Sequence, residues 1–330
     1  MESLSRLIAT IRSVCASFSW KSGLALLLVL FVVGGYSAAF APPAAFTPGT
    51  TVRIARGTSV PAIAAELFNA HVISHPAILR AILRFSGAGG NVQPGVYLFA
   101  APEGAFFVAY RLVTGAYGLP TVRITFVEGT TVREAAAKAA NALPGMSAAE
   151  FLAAATGQEG YLFPDTYFFQ PSEDAESVIA ALRANFETKM KPLMPLVSAS
   201  GHSLSDIVIM ASLIEKEGRT SEDRRIIAGI LWNRIRLGMP LQVDAVFGYI
   251  FDRATYSPSP ADLKVKSPYN TYLHTGLPPG PIANPGLDSL LAAIEPAKTS
   301  YLYYLTGNDG LMHYATTYVG HQANLRKYLQ

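Results

Sequence analysis

The chain has 330 residues, of which 50% are hydrophobic and 15% charged, and its formal net charge is +3. This length allows two or three small domains with a sizeable core, while the scattered basic residues exclude the clustered charge that a nucleic-acid-binding surface needs. Cys15 is the only cysteine in the sequence, which excludes an internal disulfide and a thiolate metal cluster. The long remainder without cysteine suits an oxidising compartment.

The first predicted element is a membrane-spanning helix over residues 22–41, which include no charged residue. About 20 apolar residues are needed to cross the hydrocarbon core of a bilayer. Three basic residues precede this segment and the stretch after it is uncharged, so the positive-inside rule predicts residues 1–21 as a cytoplasmic tail. The alternative is a cleaved signal peptide ending at residue 41, but the charge-free run is longer than the usual signal core.

Two similar strand–turn–helix units follow a proline- and alanine-rich linker at residues 42–51. They begin VRIARGTSVPAIAAEL, at residue 52, and VRITFVEGTTVREAAAKA, at residue 122. Each has a short β-branched strand, a glycine turn, hydroxyl residues able to cap a helix, and an alanine-rich helix. The first unit continues to a strand predicted near residues 95–99, and a turn into another strand is predicted over residues 159–169.

An almost wholly apolar helix is predicted from Ser205 to about Gly218, with a cap at Ser203 or Ser205, and it ends in the carboxylates Glu215 and Glu217. A carboxylate at the end of a buried helix is costly to ionise, so such a group can hold a proton at neutral pH and act as a general acid. The two side chains fall on opposite flanks of the helix's apolar stripe. Helix geometry therefore leaves both as candidates.

A polar and aromatic loop, SPYNTYLHTGLPPGPIANPG, is predicted over residues 267–286, where five prolines stiffen it. Tyr269, Asn270 and Tyr272 are candidates for substrate binding, because tyrosine offers a ring face and a hydroxyl and asparagine offers a donor and an acceptor. The alternative is that Asn270 caps a turn and the tyrosines pack internally.

These two stretches, together with AAIEPAKTSYLYYLTGNDG at residues 292–310, resemble the endolytic murein transglycosylase family, the lytic transglycosylases with a YceG-like domain. The resemblance implies an α+β fold: a membrane anchor, a small LysM-like α+β module over residues 52–120, and a mixed α/β catalytic domain over residues 121–330. LysM modules bind N-acetylglucosamine polymers. The module is therefore a candidate glycan-binding domain, and the alternative is a spacer that binds nothing.

The resemblance also assigns roles to single residues. It aligns the family's catalytic glutamate with Glu217, as general acid and then base, and leaves Glu215 as the second choice. Gly218 stands where the family usually has a hydroxyl residue, which puts a helper role for that hydroxyl in doubt. Matching motif positions imply four supporting residues, Glu222, Asn233, Gln242 and Asp244. Beside Gln242 and Asp244, however, Val243 and Ala245 depart from the family's pattern.

The activity implied is cleavage of the β-1,4 bond between N-acetylmuramic acid and N-acetylglucosamine in nascent strands, without water, leaving 1,6-anhydro ends that limit strand elongation. No cofactor or metal is expected, because the six histidines are scattered and no HExxH motif is present. The expected partners are peptidoglycan strands and the membrane's peptidoglycan synthases. The expected location is the inner membrane, with the catalytic domain outside the cytoplasm. The alternative is an inactive membrane-anchored glycan-binding or scaffold protein.

Overall fold

The computed structural model of the chain describes residues 23–29, 34, 41–253 and 257–329. The predicted membrane segment at residues 22–41 lies largely outside this set, and within it residues 23–29 are helical. In the part of the chain that is described, no single helix is long and apolar enough to cross a membrane. Backbone contacts divide the chain into two compact units, residues 1–120 and residues 121–330.

Between residues 41 and 120 of the first unit, three helices pack on a two-stranded antiparallel sheet. Strands β1 (Thr50–Ile54) and β2 (Gly95–Phe99) pair from Thr50 opposite Phe99 to Ile54 opposite Gly95, which confirms the strand predicted near residues 95–99. Helices α1 (Val60–Asn69), α2 (Pro76–Phe85) and α3 (Ala105–Thr114) complete the unit. Their inward faces and the alternating inward residues of the strands form one core, which includes Val52, Ile54, Leu67, Leu79, Leu83, Tyr97, Phe99, Val108 and Leu112.

The second unit begins with the repeat of the strand–turn–helix pattern. Strand β3 (Val122–Thr125) pairs antiparallel with β4 (Thr166–Phe169), and helices α4 (Val132–Ala142), α5 (Ala148–Ala154) and α6 (Ala175–Met190) pack beside them. Thr131 caps α4 as predicted, since its hydroxyl accepts the Glu134 amide and the Glu134 carboxylate accepts the Thr131 amide. In the first unit Ser59 precedes α1 without a side-chain cap, and the Thr58 hydroxyl instead donates to the Ala55 carbonyl.

A second hydrophobic core in this unit surrounds the apolar helix α8 (Leu204–Glu217). Ser203 caps α8 in a reciprocal arrangement with Asp206, and residues 207–214 are all buried, so the predicted all-round burial is confirmed. The other elements of this half are α7 (Met194–Ser200), α9 (Ser221–Arg236), α10 (Ala245–Ile250), α11 (Leu287–Ile294), the antiparallel hairpin of β5 (Tyr303–Thr306) with β6 (Met312–Ala315), and α12 (Tyr318–Tyr328).

Asn284 joins the two cores of the second unit. This buried side chain donates from Nδ2 to the Thr130 carbonyl at 2.9 Å and accepts the Leu162 amide on Oδ1 at 2.9 Å. Its backbone exchanges hydrogen bonds with Gly129 and Thr130. The start of α4 and the end of the proline-rich loop are thereby held against each other, which fixes the walls of the cleft described next.

Candidate active site

A cleft of about 730 Å³ opens where the end of α8 faces the start of α4 and α10. Its volume lies in the range of small-molecule binding sites. Glu217, Asp244 and Tyr249 line it, and charged groups of both signs surround them, including Arg133, Glu134, Lys216, Arg219, Asp252 and Arg253. The cleft can therefore accept a polar ligand with several hydrogen-bonding groups.

Glu217 is the last residue of α8 and is partly buried in the cleft wall. Its Oε2 accepts a hydrogen bond from the Tyr304 hydroxyl at 3.2 Å. Burial is the main cause that raises the pKa of Glu217 to about 7, and the charge of Asp244 raises it further, whereas hydrogen bonds from Tyr304 and the Ala245 backbone oppose the rise. Close to neutral pH the carboxyl group is therefore able both to donate and to accept a proton.

Asp244, which immediately precedes α10, lies in the same cleft. The Tyr272 hydroxyl donates to its Oδ1 at 2.5 Å, so the proline-rich loop and α10 meet at this carboxylate. Burial raises the pKa of both Tyr272 and Tyr304 above the ordinary value. The two phenols consequently remain hydrogen-bond donors to the two carboxyl groups at neutral pH.

Glu215 has a different environment from Glu217, although only one residue separates them. Its side chain is 5% exposed and does not line the cleft. Oε1 pairs with Arg224 Nη2 at 3.2 Å, and Oε2 accepts the Gly286 amide at 2.9 Å. Glu215 thus ties α8 to α9 and to the start of α11, which matches a structural role.

The packing of α9 explains why a glycine occupies position 218. A Cβ atom on Gly218 would lie 2.4 Å from Cγ of Arg224 and 3.1 Å from its Cα. The backbone of Gly218 itself has φ −87° and ψ 132°, which any residue can adopt. The close approach of Arg224, rather than an unusual backbone conformation, is therefore what favours glycine at this position.

Four of the predicted site residues lie outside the cleft, and three of them make structural contacts. Glu222 is exposed in the first turn of α9, and Asn233 Nδ2 donates to the Thr299 carbonyl at 2.9 Å. Gln242 has a positive φ of 53° and accepts from Arg234. Asn270 is fully buried, and its amide donates to two backbone carbonyls and accepts the Tyr272 amide. This burial and these contacts favour the alternative, that Asn270 caps a turn, and a sugar contact of Asn270 stays a prediction.

The structure brings together Glu217, Asp244 and Tyr272, and it places Tyr269 close by, with its ring centroid 5.0 Å from that of the cleft residue Tyr249. Sequence reasoning missed three contributors, of which Tyr304 and Asn284 are the first two. Tyr304 lay within the quoted stretch at residues 292–310 but nothing singled it out among several tyrosines. Asn284 lay in the proline-rich loop, where only its side-chain chemistry could have suggested it.

Glu159 was also missed. Its carboxylate accepts the Val132 amide at the start of α4, at 3.1 and 3.2 Å, and the Asn284 amide at 3.3 Å. Burial raises its pKa to about 7, and the neighbouring charge of Glu134 adds to the effect. In the sequence it is an ordinary glutamate before a glycine turn, since its burial depends on contacts with residues far along the chain.

The fold is mixed α+β, and its cleft presents a carboxyl group with a raised pKa beside a second carboxylate, the arrangement of a general acid–base site. The chain belongs to the YceG-like family, whose sequence model matches residues 52–327.

The relatives cover most of the chain. An endolytic murein transglycosylase of Bacillus subtilis is 32% identical over 334 aligned residues, which cover 90% of this chain and 91% of that protein. An endolytic murein transglycosylase of Streptococcus pneumoniae is 33% identical over 177 residues, 52% of this chain and 32% of that protein. The crystal structure of a YceG-like protein from Listeria monocytogenes matches with a TM-score of 0.58 and 26% identity, covering 83% of this chain and 98% of that one.

Proposed function

We propose that the chain is a peptidoglycan lytic transglycosylase and that Glu217 is its catalytic residue. The observation that carries the proposal is the cleft carboxyl of Glu217, whose pKa of about 7 lets one group act as acid and as base at neutral pH. The relatives named endolytic murein transglycosylase support the substrate class.

The reaction needs one such group. Protonated Glu217 donates its proton to the glycosidic oxygen, O4 of the departing N-acetylglucosamine, as the bond to C1 of N-acetylmuramic acid breaks. The Glu217 carboxylate then removes the proton of the C6 hydroxyl, whose oxygen bonds to C1 and closes the 1,6-anhydro ring. The substrate supplies the nucleophile and no water is consumed, so the pair of catalytic carboxyl groups that most glycosidases need is not required.

The neighbouring groups set the proton affinity of Glu217. Asp244 stays in position through its hydrogen bond from Tyr272, and its negative charge favours the protonated acid. The hydrogen bond from Tyr304 favours the carboxylate that forms after the first proton transfer. These opposing effects leave the pKa of Glu217 at about 7, which suits a group that acts first as acid and then as base.

The finer proposal concerns where the enzyme cuts. If residues 22–41 anchor the chain in the inner membrane, the ten-residue linker at residues 42–51 holds the start of the first unit within about 33 to 36 Å of the bilayer, at 3.3 to 3.6 Å per extended residue. Nascent glycan passes through this zone first, so we propose endolytic cleavage of growing strands beside the synthases. Cells without the protein should have longer strands, and an exported but untethered form should restore their length poorly.

The direct test incubates the purified full chain in detergent with peptidoglycan sacculi and identifies the products by mass spectrometry. We expect 1,6-anhydro-muropeptides, and we expect Glu217→Gln to reduce their rate of formation by about 10²- to 10⁴-fold, the usual contribution of a general acid–base group. Glu66→Gln, which removes an exposed carboxylate of α1 outside the cleft, is the matched control and should retain activity.

Three outcomes would contradict the proposal. Reducing N-acetylmuramic acid ends in place of anhydro ends would show a hydrolase, with Asp244 as the second carboxylate. Binding to sacculi without any product would show the scaffold alternative. A Glu217→Gln variant that keeps its activity while Glu215→Gln loses it would move the catalytic role to Glu215.

A further inference from the structure

Helix α2 has a second row of apolar residues beside the row that fills the core of the first unit, and in this second row Ile82 packs partly against that core. Leu79 and Leu83 point into the core, whereas Ile78, Ala81, Ile82 and Phe85, at the i, i+3, i+4, i+7 spacing of one helix face, line an open groove. Phe106 of α3 and Ser86 complete the lining of this groove, which has a volume of about 510 Å³. The apolar surface of α2 therefore continues from the core to the outside of the unit, where Ile78, Ala81 and Phe85 border the groove.

Two exposed aromatic side chains, Phe85 and Phe106, line the groove, and α3 carries two more. Phe85 is 89% exposed, and Phe106, Phe107 and Tyr110 at the start of α3 are 51%, 55% and 58% exposed. We call these four residues and the groove the aromatic patch. Phe107 and Tyr110 stack on each other, with ring centroids 6.0 Å apart. Single exposed apolar residues are common, but a group of this kind on two neighbouring helices marks a surface that binds a partner or a membrane.

The charge around the patch is positive. Arg80 and Arg84 of α2 are exposed, on a face adjacent to the groove. Residues 42–120 include five arginines and two glutamates, with no lysine or aspartate, and one of those glutamates, Glu103, is paired with the buried Arg111 at 2.7 Å. An apolar, aromatic face bordered by arginines is the composition of helices that lie in the interface of an anionic bilayer.

The chain path places this unit close to the end of the predicted membrane segment. The Ser74 hydroxyl donates to the carbonyl of Ala41, the last residue of that segment, at 2.9 Å. Ser74 lies two residues before the start of α2 and four before Ile78, which lines the groove. The last residue of the predicted segment, Ala41, is therefore held near the start of α2.

We propose that the aromatic patch rests on the anionic lipid surface, as a second membrane contact in addition to the segment at residues 22–41. The exposed aromatic rings enter the interfacial layer, where such rings are favoured, and Arg80 and Arg84 extend to lipid phosphates. A glycan fits the groove less well, because sugar hydroxyls need hydrogen-bonding partners and Ser86 is the polar residue of the groove lining. The proposal assumes that residues 22–41 enter the bilayer, and it is independent of the catalytic chemistry.

The test uses the full chain in vesicles and one reporter at a time. In a Cys15→Ser background, Ser86→Cys places a single thiol in the patch, and Thr51→Cys, at an exposed position of β1, serves as the matched control. Each thiol carries an environment-sensitive fluorophore, and the vesicles contain phosphatidylcholine with phosphatidylglycerol and a nitroxide-labelled lipid. We expect the lipid nitroxide to quench the probe at position 86 at least twofold more than the probe at position 51.

Two perturbations sharpen the test. Replacing phosphatidylglycerol with phosphatidylcholine, or introducing Arg80→Ser with Arg84→Ser, should reduce the quenching at position 86 while flotation of the chain with vesicles persists. Introducing Phe106→Ser with Phe107→Ser should abolish the difference between the two positions.

Equal quenching at both positions would overturn the proposal, as would a chain that fails to float with vesicles. A probe at position 86 that responds to chitin oligosaccharides but not to lipid would also overturn it, in favour of a glycan-binding surface. None of these readouts depends on activity, so the result is separate from the test of Glu217.

Discussion

At the scale of single residues, Glu215 and Glu217 show how two carboxyl groups close in sequence acquire different properties from their surroundings. Glu215 is fixed by an ion pair to Arg224 and an amide hydrogen bond, whereas Glu217 opens to the cleft and has a pKa raised to about 7. The difference arises from what packs against each side of the end of α8. We therefore predict that replacing Glu217 affects mainly activity and that replacing Glu215 affects mainly stability.

The first prediction concerns Tyr304 and Asp244, which change the pKa of Glu217 in opposite directions. Tyr304→Phe removes a hydrogen bond that lowers the pKa of Glu217, so the alkaline limb of the pH–rate profile should move to higher pH. Asp244→Asn removes a charge that raises this pKa, so the limb should move to lower pH. Profiles of anhydro-product formation measure both, and shifts in the same direction would show that the cleft carboxyl is not controlled by these contacts.

The second prediction concerns stability and pH. The folded-state pKa of Glu217, about 7, exceeds its ordinary value of 4.5, so between these values the folded chain binds more protons than the unfolded chain. The contribution of Glu217 to stability is therefore present at low pH and is lost as pH rises from about 4.5 to 7. Glu217→Gln should lessen this fall and be at least as stable as the parent at pH 8.

Glu215→Gln provides the contrast to Glu217→Gln. Removing the charge of a nearly buried group that pairs with Arg224 should destabilise the fold at pH 8, by about 1 to 3 kcal/mol. Urea unfolding of the two variants across the pH range measures both effects. A Glu217→Gln variant with the larger loss at pH 8 would contradict the assignment of a functional role to Glu217 and a structural role to Glu215.

At the scale of elements, the junction between α8 and α9 depends on Gly218. A side chain there meets Arg224 at both its Cγ and its backbone, so the two helices could not approach as closely. We predict that Gly218→Ala destabilises the chain by about 1 to 3 kcal/mol, the usual cost of overpacking, and weakens the pairing of Arg224 with Glu215 and Asp288.

The control for this prediction is Gly90→Ala. A Cβ on Gly90 meets nothing within 4 Å, and Gly90 is not among the glycines with positive φ, so this variant should unfold at close to the parent temperature. Thermal unfolding of both variants measures the difference. Equal stability of Gly218→Ala and the parent would show that α9 moves to admit a side chain, and that the glycine has another cause.

At the scale of the whole molecule, the chain has separate hydrophobic cores. The core of the first unit is built from residues between 52 and 112, and the two cores of the second unit from residues between 124 and 294. We predict that a fragment of residues 121–330 folds alone and unfolds in a cooperative transition that calorimetry also detects in the full chain. A fragment that lacks this transition would show that the second unit depends on the first for its stability.

The sequence by itself determined the elements and the class of chemistry. The all-apolar run with a Ser203 cap specified α8, the repeated glycine turns specified the strand–turn–helix units, and the two terminal carboxylates narrowed the acid to Glu215 or Glu217. These features are local, because capping, periodicity and turn chemistry act within a few residues.

Only the tertiary structure decided the roles within the site. Asn270 and Asn284 have the same side chain, lie in one loop and are both buried. Asn270 stabilises a turn within that loop, whereas Asn284 bridges the two cores beside the cleft. The proton affinity of Glu217 depends on Tyr304 and Asp244, which lie 87 and 27 residues further along the chain. Burial and charge act through space, so the raised pKa arises only when folding brings these distant groups together.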